Sequence, residues 1–193
     1  VNMTTISSSG AASTTFTVFE TIDNFTGTLA STTGVAAGAT LNLTAAKATG
    51  KTITGAGSGS VNVTALDQTL DADVSAITAA TGSGATLTGT YLTSGSGDFI
   101  GNFGTAGMTV NISDGATMTV AANKVDGSDG PTLQKDGSSG TGIVAVRIGT
   151  ADAAVDMTSI SSSGAASTTF TVFENTTFTG TLASVATGVN SGV

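Results

Sequence analysis

Aspartates in glycine-rich stretches are the side chains of this sequence that could most directly bind a ligand. The candidates in the second half of the chain are Asp114, Asp126, Asp129 and Asp136. Carboxylate oxygens in loops are the ligands that Ca²⁺ prefers, although the stretch VDGSDGPTLQKDG lacks the spacing of an EF-hand. We therefore predict, at most, a weak calcium site here. The simpler interpretation, which we favour, is that aspartate suits turns and keeps an apolar chain soluble.

Catalytic side chains are scarce in this sequence. The chain has no His and no Cys, which removes the base and the thiol that most nucleophilic mechanisms use. Glycoside cleavage needs two carboxylates about 5–9 Å apart. A polysaccharide cleft usually adds aromatic platforms, but the chain has one Tyr and no Trp. We expect no catalytic residue, no enzyme activity, and no cofactor unless calcium binds.

Two phenylalanines lie outside the alternating pattern of their segments. In TTFTVFE, alternation turns Phe170 and Val172 to one side, so that Phe173 falls out of step beside a glutamate, as Phe19 does in the first copy of the segment. One interpretation places these rings under a corner loop. The other makes Phe19 and Phe173 apolar contacts between neighbouring chains, and both interpretations stay open.

Charge and hydropathy limit the partners of this chain. Its net charge is −8 and its isoelectric point is near 4.1, so there is no basic surface for phosphates, and we expect neither nucleic acid nor an anionic membrane as a partner. No run of 18 apolar residues occurs, so we expect no membrane insertion. Hydrophobic residues reach 39% and charged residues only 9%, which favours a folded chain with a core of small side chains.

The chain repeats itself with a long period. VNMTTISSSGAASTTFTVFE begins at Val1, and VDMTSISSSGAASTTFTVFE begins at Val155, 154 residues later. Such self-similarity is typical of arrays whose units stack on copies of themselves. We predict one full repeat over residues 1–154. Residues 155–193 then begin the next repeat, continuous with the first, as a window on a longer repetitive protein.

A shorter period lies inside the long one. GATLNLTAAKATG begins at Gly38 and GATMTVAANKVDG at Gly115, and the offset between these two glycines is half of the long period. ATLTG from Ala85 also aligns with TTFTV from Thr168. Because self-similarity at a fixed period marks a structural unit, we predict two degenerate halves of about 77 residues within each repeat.

Short alternating runs recur throughout both halves. They turn apolar residues to one side: Leu41 and Leu43, Val61 and Val63, Val110 and Ile112, Met118 and Val120, and Val144, Val146 and Ile148. Period-two alternation between glycine-rich turns predicts strands with one buried face. We predict an all-β chain, a β-solenoid of the right-handed β-helix type built from stacked short strands. The alternative is a set of tandem β-sandwich modules, although a half of about 77 residues is short for a sandwich of about 100.

The strings GATLNLTAAKATGKTITGAGSGSVNVTAL, DADVSAIT and DGATMTVAANKVDG resemble the repeats of a known group of proteins. These are very large, acidic, Thr/Gly/Ala-rich bacterial extracellular proteins of the surface-layer, adhesin and matrix-fibre type. The resemblance covers nearly the whole chain. It implies a β-helical array, secretion, a role at a cell surface or in a filament, and no catalysis.

These observations predict a structural function. We expect an extracellular or cell-surface protein that forms a filament, sheath or surface layer by axial stacking of solenoid coils. Its main partner would be itself, end to end and also laterally. The alternative is an adhesin stalk or carbohydrate-binding module that contacts cell-surface glycans. A second alternative is an ice-binding solenoid, because Thr-x-Thr pairs are frequent, although their spacing is irregular.

Overall fold

The computed structural model describes residues 16–78, 85–93, 97–104, 107–126, 131–135, 141–149, 168–172 and 186–191. The backbone is mostly parallel strands with about 9% helix, arranged in stacked coils as a β-solenoid. The predicted fold class is therefore confirmed. Tandem β-sandwiches would have antiparallel sheets, whereas every strand pair in the described residues is parallel.

Fourteen short strands make up the described part of the solenoid. In chain order they are β1 (Phe16–Val18), β2 (Ile22–Phe25), β3 (Thr32–Val35), β4 (Thr40–Thr44), β5 (Thr52–Gly55), β6 (Ser60–Thr64), β7 (Ile77–Thr78), β8 (Leu87–Tyr91), β9 (Thr109–Ile112), β10 (Thr117–Ala121), β11 (Thr132–Lys135), β12 (Ile143–Ile148), β13 (Thr168–Val172) and β14 (Ala186–Ser191). One α-helical turn, α1 (Ala45–Ala48), and two 3₁₀ turns, Leu66–Gln68 and Ala122–Lys124, form corners. No helix in this part of the chain is both long and apolar enough to cross a membrane.

The strands form two faces, on which each coil places one strand. The second face is one six-stranded sheet in the order β2-β4-β6-β8-β9-β11. The first face consists of two four-stranded sheets, β1-β3-β5-β7 and β10-β12-β13-β14. The segment Phe99–Asn102 lies between these two sheets. Asn102 bridges to Asp73, just before β7, and Phe99 bridges to Val120 in β10.

The lumen is filled by the apolar residues that alternation predicted. In β4 the burial alternates along the strand, with Leu41 and Leu43 buried and the residues between them half-buried. The strands β6, β9, β10 and β12 repeat this pattern. The rings of Phe99 and Phe103 are buried as well, and they stack with centroids 4.5 Å apart. Parallel stacking places like residues over one another, as in the pairs of Leu41 with Val61 and Leu43 with Val63, so successive apolar layers hold the coils in register.

The offset between the two halves is visible in their elements. Strands β3 and β9, strands β4 and β10, and the corners that begin at Ala45 and Ala122 each start 77 residues apart. Turn glycines follow the same offset, since Gly38 and Gly115 have φ of +78° and +74°, values that glycine adopts without strain. Elements of the described residues thus match at this offset, while the division into halves and into 154-residue repeats stays a prediction.

Two strands that correspond to each other in the two halves lie on opposite faces of the solenoid. Strand β3 lies on the first face and β9 on the second, while β4 lies on the second and β10 on the first. From β3 to β9 the chain changes face seven times, because it passes through β4, β5, β6, β7, β8 and the Phe99–Asn102 segment on the way. The half-repeat therefore equals three and a half coils, which makes one coil roughly 22 residues long, an ordinary length for a structural repeat.

The alignment of Ala85 with Thr168 is wrong by two residues. Val146 in β12 pairs with Phe170, and Val63, at the corresponding position of β6, pairs with Gly89. Gly89 is therefore the counterpart of Phe170, whereas the alignment of strings placed Leu87 there. The physical reason is the alternation itself, because a shift by two residues keeps every side chain on the same side.

Two strands after residue 155 continue the first face. Strand β13 pairs with β12 on one side and with β14 on the other. This resembles the pairing of β1 with β3 at the start of the chain, but Phe16 pairs with Thr33, whereas Phe170 pairs with Val189 and not with Thr187. The second copy thus repeats the parallel pair with a register that differs by two residues.

Candidate functional site

The first candidate site is the edge of β1 that no described strand covers, called here the free edge of β1. Among the described strands, β1 pairs only with β3, so its other edge presents backbone groups that can pair with another strand. Its inward residues are also less covered than those farther along the solenoid. Phe16 is half-buried and Val18 keeps 9% of its surface exposed, whereas Leu41 and Val61 are fully buried.

An open apolar cavity lies beside this edge. It has a volume of about 410 Å³ and is lined by residues 17–22 together with Phe25. Val18, Ile22 and Phe25 supply apolar surface, and Phe19 and Glu20 lie at the exposed rim. A solenoid coil exposes its lumen wherever no further coil covers it. The cavity therefore has the character of a stacking surface that no coil of the described residues covers.

The second part of the candidate site is the joint between β12 and β13. The Cα partners are Val144 with Thr168, Ala145 with Thr169, Val146 with Phe170, Arg147 with Thr171 and Ile148 with Val172. Five consecutive partners in one register make this joint as long as the one between β4 and β6 inside the first copy. The parallel ladder of the first face therefore runs across residue 155 without a break between these strands.

Polar side chains on the outer surface of the second face bond to one another. The Asn62 side chain donates from Nδ2 to Asn42 Oδ1 at 3.0 Å, and Thr88 Oγ1 donates to Asn62 Oδ1 at 2.9 Å. Farther along the same face, Gln134 Nε2 donates to Asn111 Oδ1 at 2.8 Å. These bonds form a ladder from coil to coil. Because these groups are already paired, they strengthen the stack and leave fewer donors to order water on this face.

The four aspartates proposed for calcium are not brought together in the described residues. Asp114 is exposed, and its Oδ1 accepts a hydrogen bond from the Thr141 backbone N–H at 2.9 Å, which ties two successive coils. Asp126 is also exposed. Asp129 and Asp136 lie outside the described residues. No group of three or more acidic residues that could hold a metal occurs in the part of the chain that the structure describes, and calcium binding stays a prediction.

Of the two phenylalanines predicted for self-association, the structure describes only Phe19. Phe19 is 76% exposed, so its ring does not lie under a corner loop. Val18 pairs with Val35, and Tyr91 pairs with Ile112. Because Val35 and Ile112 occupy the same position of the two halves, Tyr91 is the counterpart of Val18. The counterpart of Phe19 is therefore the next residue, Leu92. Leu92 is exposed as well. Phe173 lies outside the described residues.

Sequence reasoning missed two charged contacts between coils. Asp67 is buried at a 3₁₀ corner, where its carboxylate accepts bonds from the Leu92 backbone N–H at 3.0 Å and from Thr93 Oγ1 at 2.7 Å. Arg147, on the outer side of β12, forms an ion pair with Asp98. Their separations of 25 and 49 residues are close to one and two coil lengths, and that spacing is the signal that could have revealed them.

Comparison with known protein families, with curated protein sequences and with solved structures finds no significant match.

Proposed function

We propose that this chain is a structural protein whose solenoid coils stack axially into an extracellular filament, sheath or surface layer. The observation that carries the proposal is the ladder β10-β12-β13-β14, which contains strands from both sides of residue 155. One copy of the repeated sequence thus continues the sheet of the copy before it. A sequence that extends its own sheet without a linker is suited to span distance and bear load.

The chemistry of the surface supports the same proposal. The outer positions of the described strands are mainly Thr and Asn. Parallel backbone hydrogen bonds run along the solenoid axis, and the outer amide ladder adds side-chain bonds in the same direction. Tension along the axis would be shared by these bonds, while the net charge of −8 keeps the surface soluble.

The proposal predicts that the purified chain associates end to end. We expect the mass from static light scattering to rise with protein concentration and electron micrographs to show unbranched filaments one solenoid wide. A tethered strand has an effective concentration in the millimolar range, so association between chains should be detectable by about 1 mM. A chain that stays monomeric up to that concentration would contradict assembly through the edges of the sheets.

Two substitutions test whether the β1 edge takes part. Phe16→Lys places a charge that reaches solvent in the monomer but would be buried by a further coil, and inward charges on edge strands oppose pairing. Thr54→Lys is the control, because Thr54 is exposed on the outer surface of β5 and does not line the cavity. We expect Phe16→Lys to reduce association and Thr54→Lys to leave it unchanged, with equal circular dichroism spectra.

A further inference from the structure

One five-residue sequence occurs in two structural settings. Thr-Thr-Phe-Thr-Val spans residues 14–18, which include β1, and residues 168–172, which are β13. Strand β13 has a neighbour on each side, β12 and β14, whereas β1 has only β3 among the described strands. The same sequence is therefore an edge strand at one place and an internal strand at the other.

The free edge of β1 corresponds to the edge of β13 that faces β12. Strand β14 contains Gly188 and Val189, which lie 154 residues after Gly34 and Val35 of β3. Strands β14 and β3 therefore lie along the same edge of the repeated strand, although with registers that differ by two residues. The remaining edges of β13 and β1 correspond to each other. The likeness extends beyond the strand, because residues 1–20 and 155–174 differ only at Asn2 against Asp156 and Thr5 against Ser159.

We propose that β12 of one copy of this chain accepts β1 of a second copy in place of its own β13. The inference rests on the proposed end-to-end association and names the joint that carries it. The register is that of the existing pair, so Phe16 of the second copy lies opposite Val146 and Val18 lies opposite Ile148. The coil that carries β12 then covers the open cavity beside Val18.

The exchange is chemically even at the joint, because Phe16, Thr17 and Val18 of β1 repeat the last three residues of β13. Within one chain, β13 is tethered to β12 by residues 149–167, so its effective concentration there is in the millimolar range. A second copy therefore competes at millimolar concentration, or when copies are refolded together. The accepting strand β12 and the donated strand β1 belong to different ends of the solenoid, so the exchange is open-ended and extends a filament instead of closing a dimer.

Disulfide trapping tests the joint in the full chain, which has no cysteine of its own. Ala145 is the Cα partner of Thr169, and Thr15 occupies the position of Thr169 in the first copy of the sequence. A chain with Ala145→Cys is refolded at about 1 mM with a chain carrying Thr15→Cys, and the mixture is then oxidised. The matched control replaces Thr15→Cys with Thr17→Cys, two residues out of register and too far for the Cβ separation that a disulfide needs.

We expect a disulfide-linked heterodimer with Thr15→Cys, formed at least several-fold more than with Thr17→Cys. A single chain with both Ala145→Cys and Thr169→Cys must form the bond internally, because that pair is the template for the joint. Equal yields for the two mixtures, or no internal bond in the double variant, would overturn the proposed joint. If filaments still appear in micrographs of the unmodified chain, the proposed function survives with another joint, and if association is absent altogether both proposals fall.

Discussion

Thr33 places a hydroxyl group inside the solenoid, where burying an apolar group would cost less free energy. The residue is 1% exposed, and its Oγ1 has no hydrogen-bond partner among the described residues. Its Cα partners are Phe16 in β1 and Ile53 in β5. A buried hydroxyl without a partner costs about 1–3 kcal/mol in proteins.

Thr33→Val removes this hydroxyl and keeps the shape of the side chain. We expect the free energy of unfolding to rise by about 1–2 kcal/mol, because the desolvation cost is removed. Urea denaturation measures this change. The exposed Thr54 of β5 provides the control, and Thr54→Val should change the free energy of unfolding by less than about 0.5 kcal/mol. A loss of stability in Thr33→Val would mean that the hydroxyl has a partner.

Asp73 caps a turn at the corner before β7. Its Oδ1 accepts hydrogen bonds from Ser75 Oγ at 2.6 Å and from the Ser75 backbone N–H at 3.1 Å. These bonds, the side-chain bond first, hold the pKa of the Asp73 carboxyl below its ordinary value of 3.8. On the next coil, Asn102 Oδ1 accepts from the Gly104 backbone N–H in the same way, so the turn recurs without the charge.

The lowered pKa of Asp73 gives a pH-dependent contribution to stability. Because the folded value lies below the unfolded one, the contribution is present above the unfolded pKa and is lost as the pH falls through the folded pKa. We expect an NMR titration of Asp73 to have its midpoint below 3.8. Ser75→Ala should move the midpoint upwards, while Thr78→Ala, on the exposed side of β7, should not. An unchanged midpoint in Ser75→Ala would contradict this account.

At the level of elements, the outer ladder joins strands that the backbone already pairs. Asn42, Asn62 and Thr88 occupy matching positions on β4, β6 and β8. Asn42 Nδ2 also donates to the Ile22 backbone carbonyl at 3.1 Å, which extends the ladder to β2. Such side-chain ladders recur when similar residues stack in parallel, in-register strands.

Asn62 is the central residue of this ladder and the best place to test it. Asn62→Ala removes one bond to Asn42 and one from Thr88, and each net bond contributes about 0.5–1.5 kcal/mol. We expect the free energy of unfolding to fall by about 1–3 kcal/mol in a urea titration. Gln134→Ala, which removes the single bond to Asn111, should cost about half as much. Equal costs for the two variants would show that the ladder is not cumulative.

At the level of the whole molecule, the half-repeat determines the symmetry of any assembly. A shift by one half-repeat moves the chain by three and a half coils and exchanges the two faces, so only the 154-residue repeat restores both position and face. Similar surfaces, such as those that carry Phe19 and Leu92, therefore follow strands on opposite faces. A filament of such coils would present like surfaces on alternate sides.

This geometry predicts the axial repeat of the filament. Stacked strands lie about 4.8 Å apart, so seven coils rise by roughly 34 Å and three and a half coils by roughly 17 Å. Fibre diffraction from aligned material should show a strong meridional reflection near the strand spacing of about 4.8 Å. Weaker meridional reflections should appear at spacings of roughly 34 Å and roughly 17 Å. An axial repeat unrelated to the rise of seven coils would contradict continuous stacking of 154-residue units.

Much of the solenoid could be predicted because its signals are local. The alternation of Leu41 and Leu43 with polar residues determines which side chains enter the lumen, and glycine turns such as those at Gly38 and Gly115 determine where strands end. The place of Phe19 outside the alternation left open whether its ring is covered by a corner loop, and only the structure shows that it is exposed. The joint of β12 with β13 was foreseen only as continuity, and its partners and register needed the structure.

The sequence by itself therefore determined the strands, their inward residues and the likeness of the two halves. The tertiary structure decided which face each strand joins and with which register, because Thr/Ala/Gly alternation accepts any shift by an even number of residues. The register of each strand depends on how much space the side chains of its neighbours leave in the lumen. Gly89 stands where β13 has Phe170, and a Cβ at Gly89 would meet Leu66 at 2.8 Å and Met108 at 3.1 Å. Side chains distant in sequence fill this layer, so their packing is settled only when the coils stack.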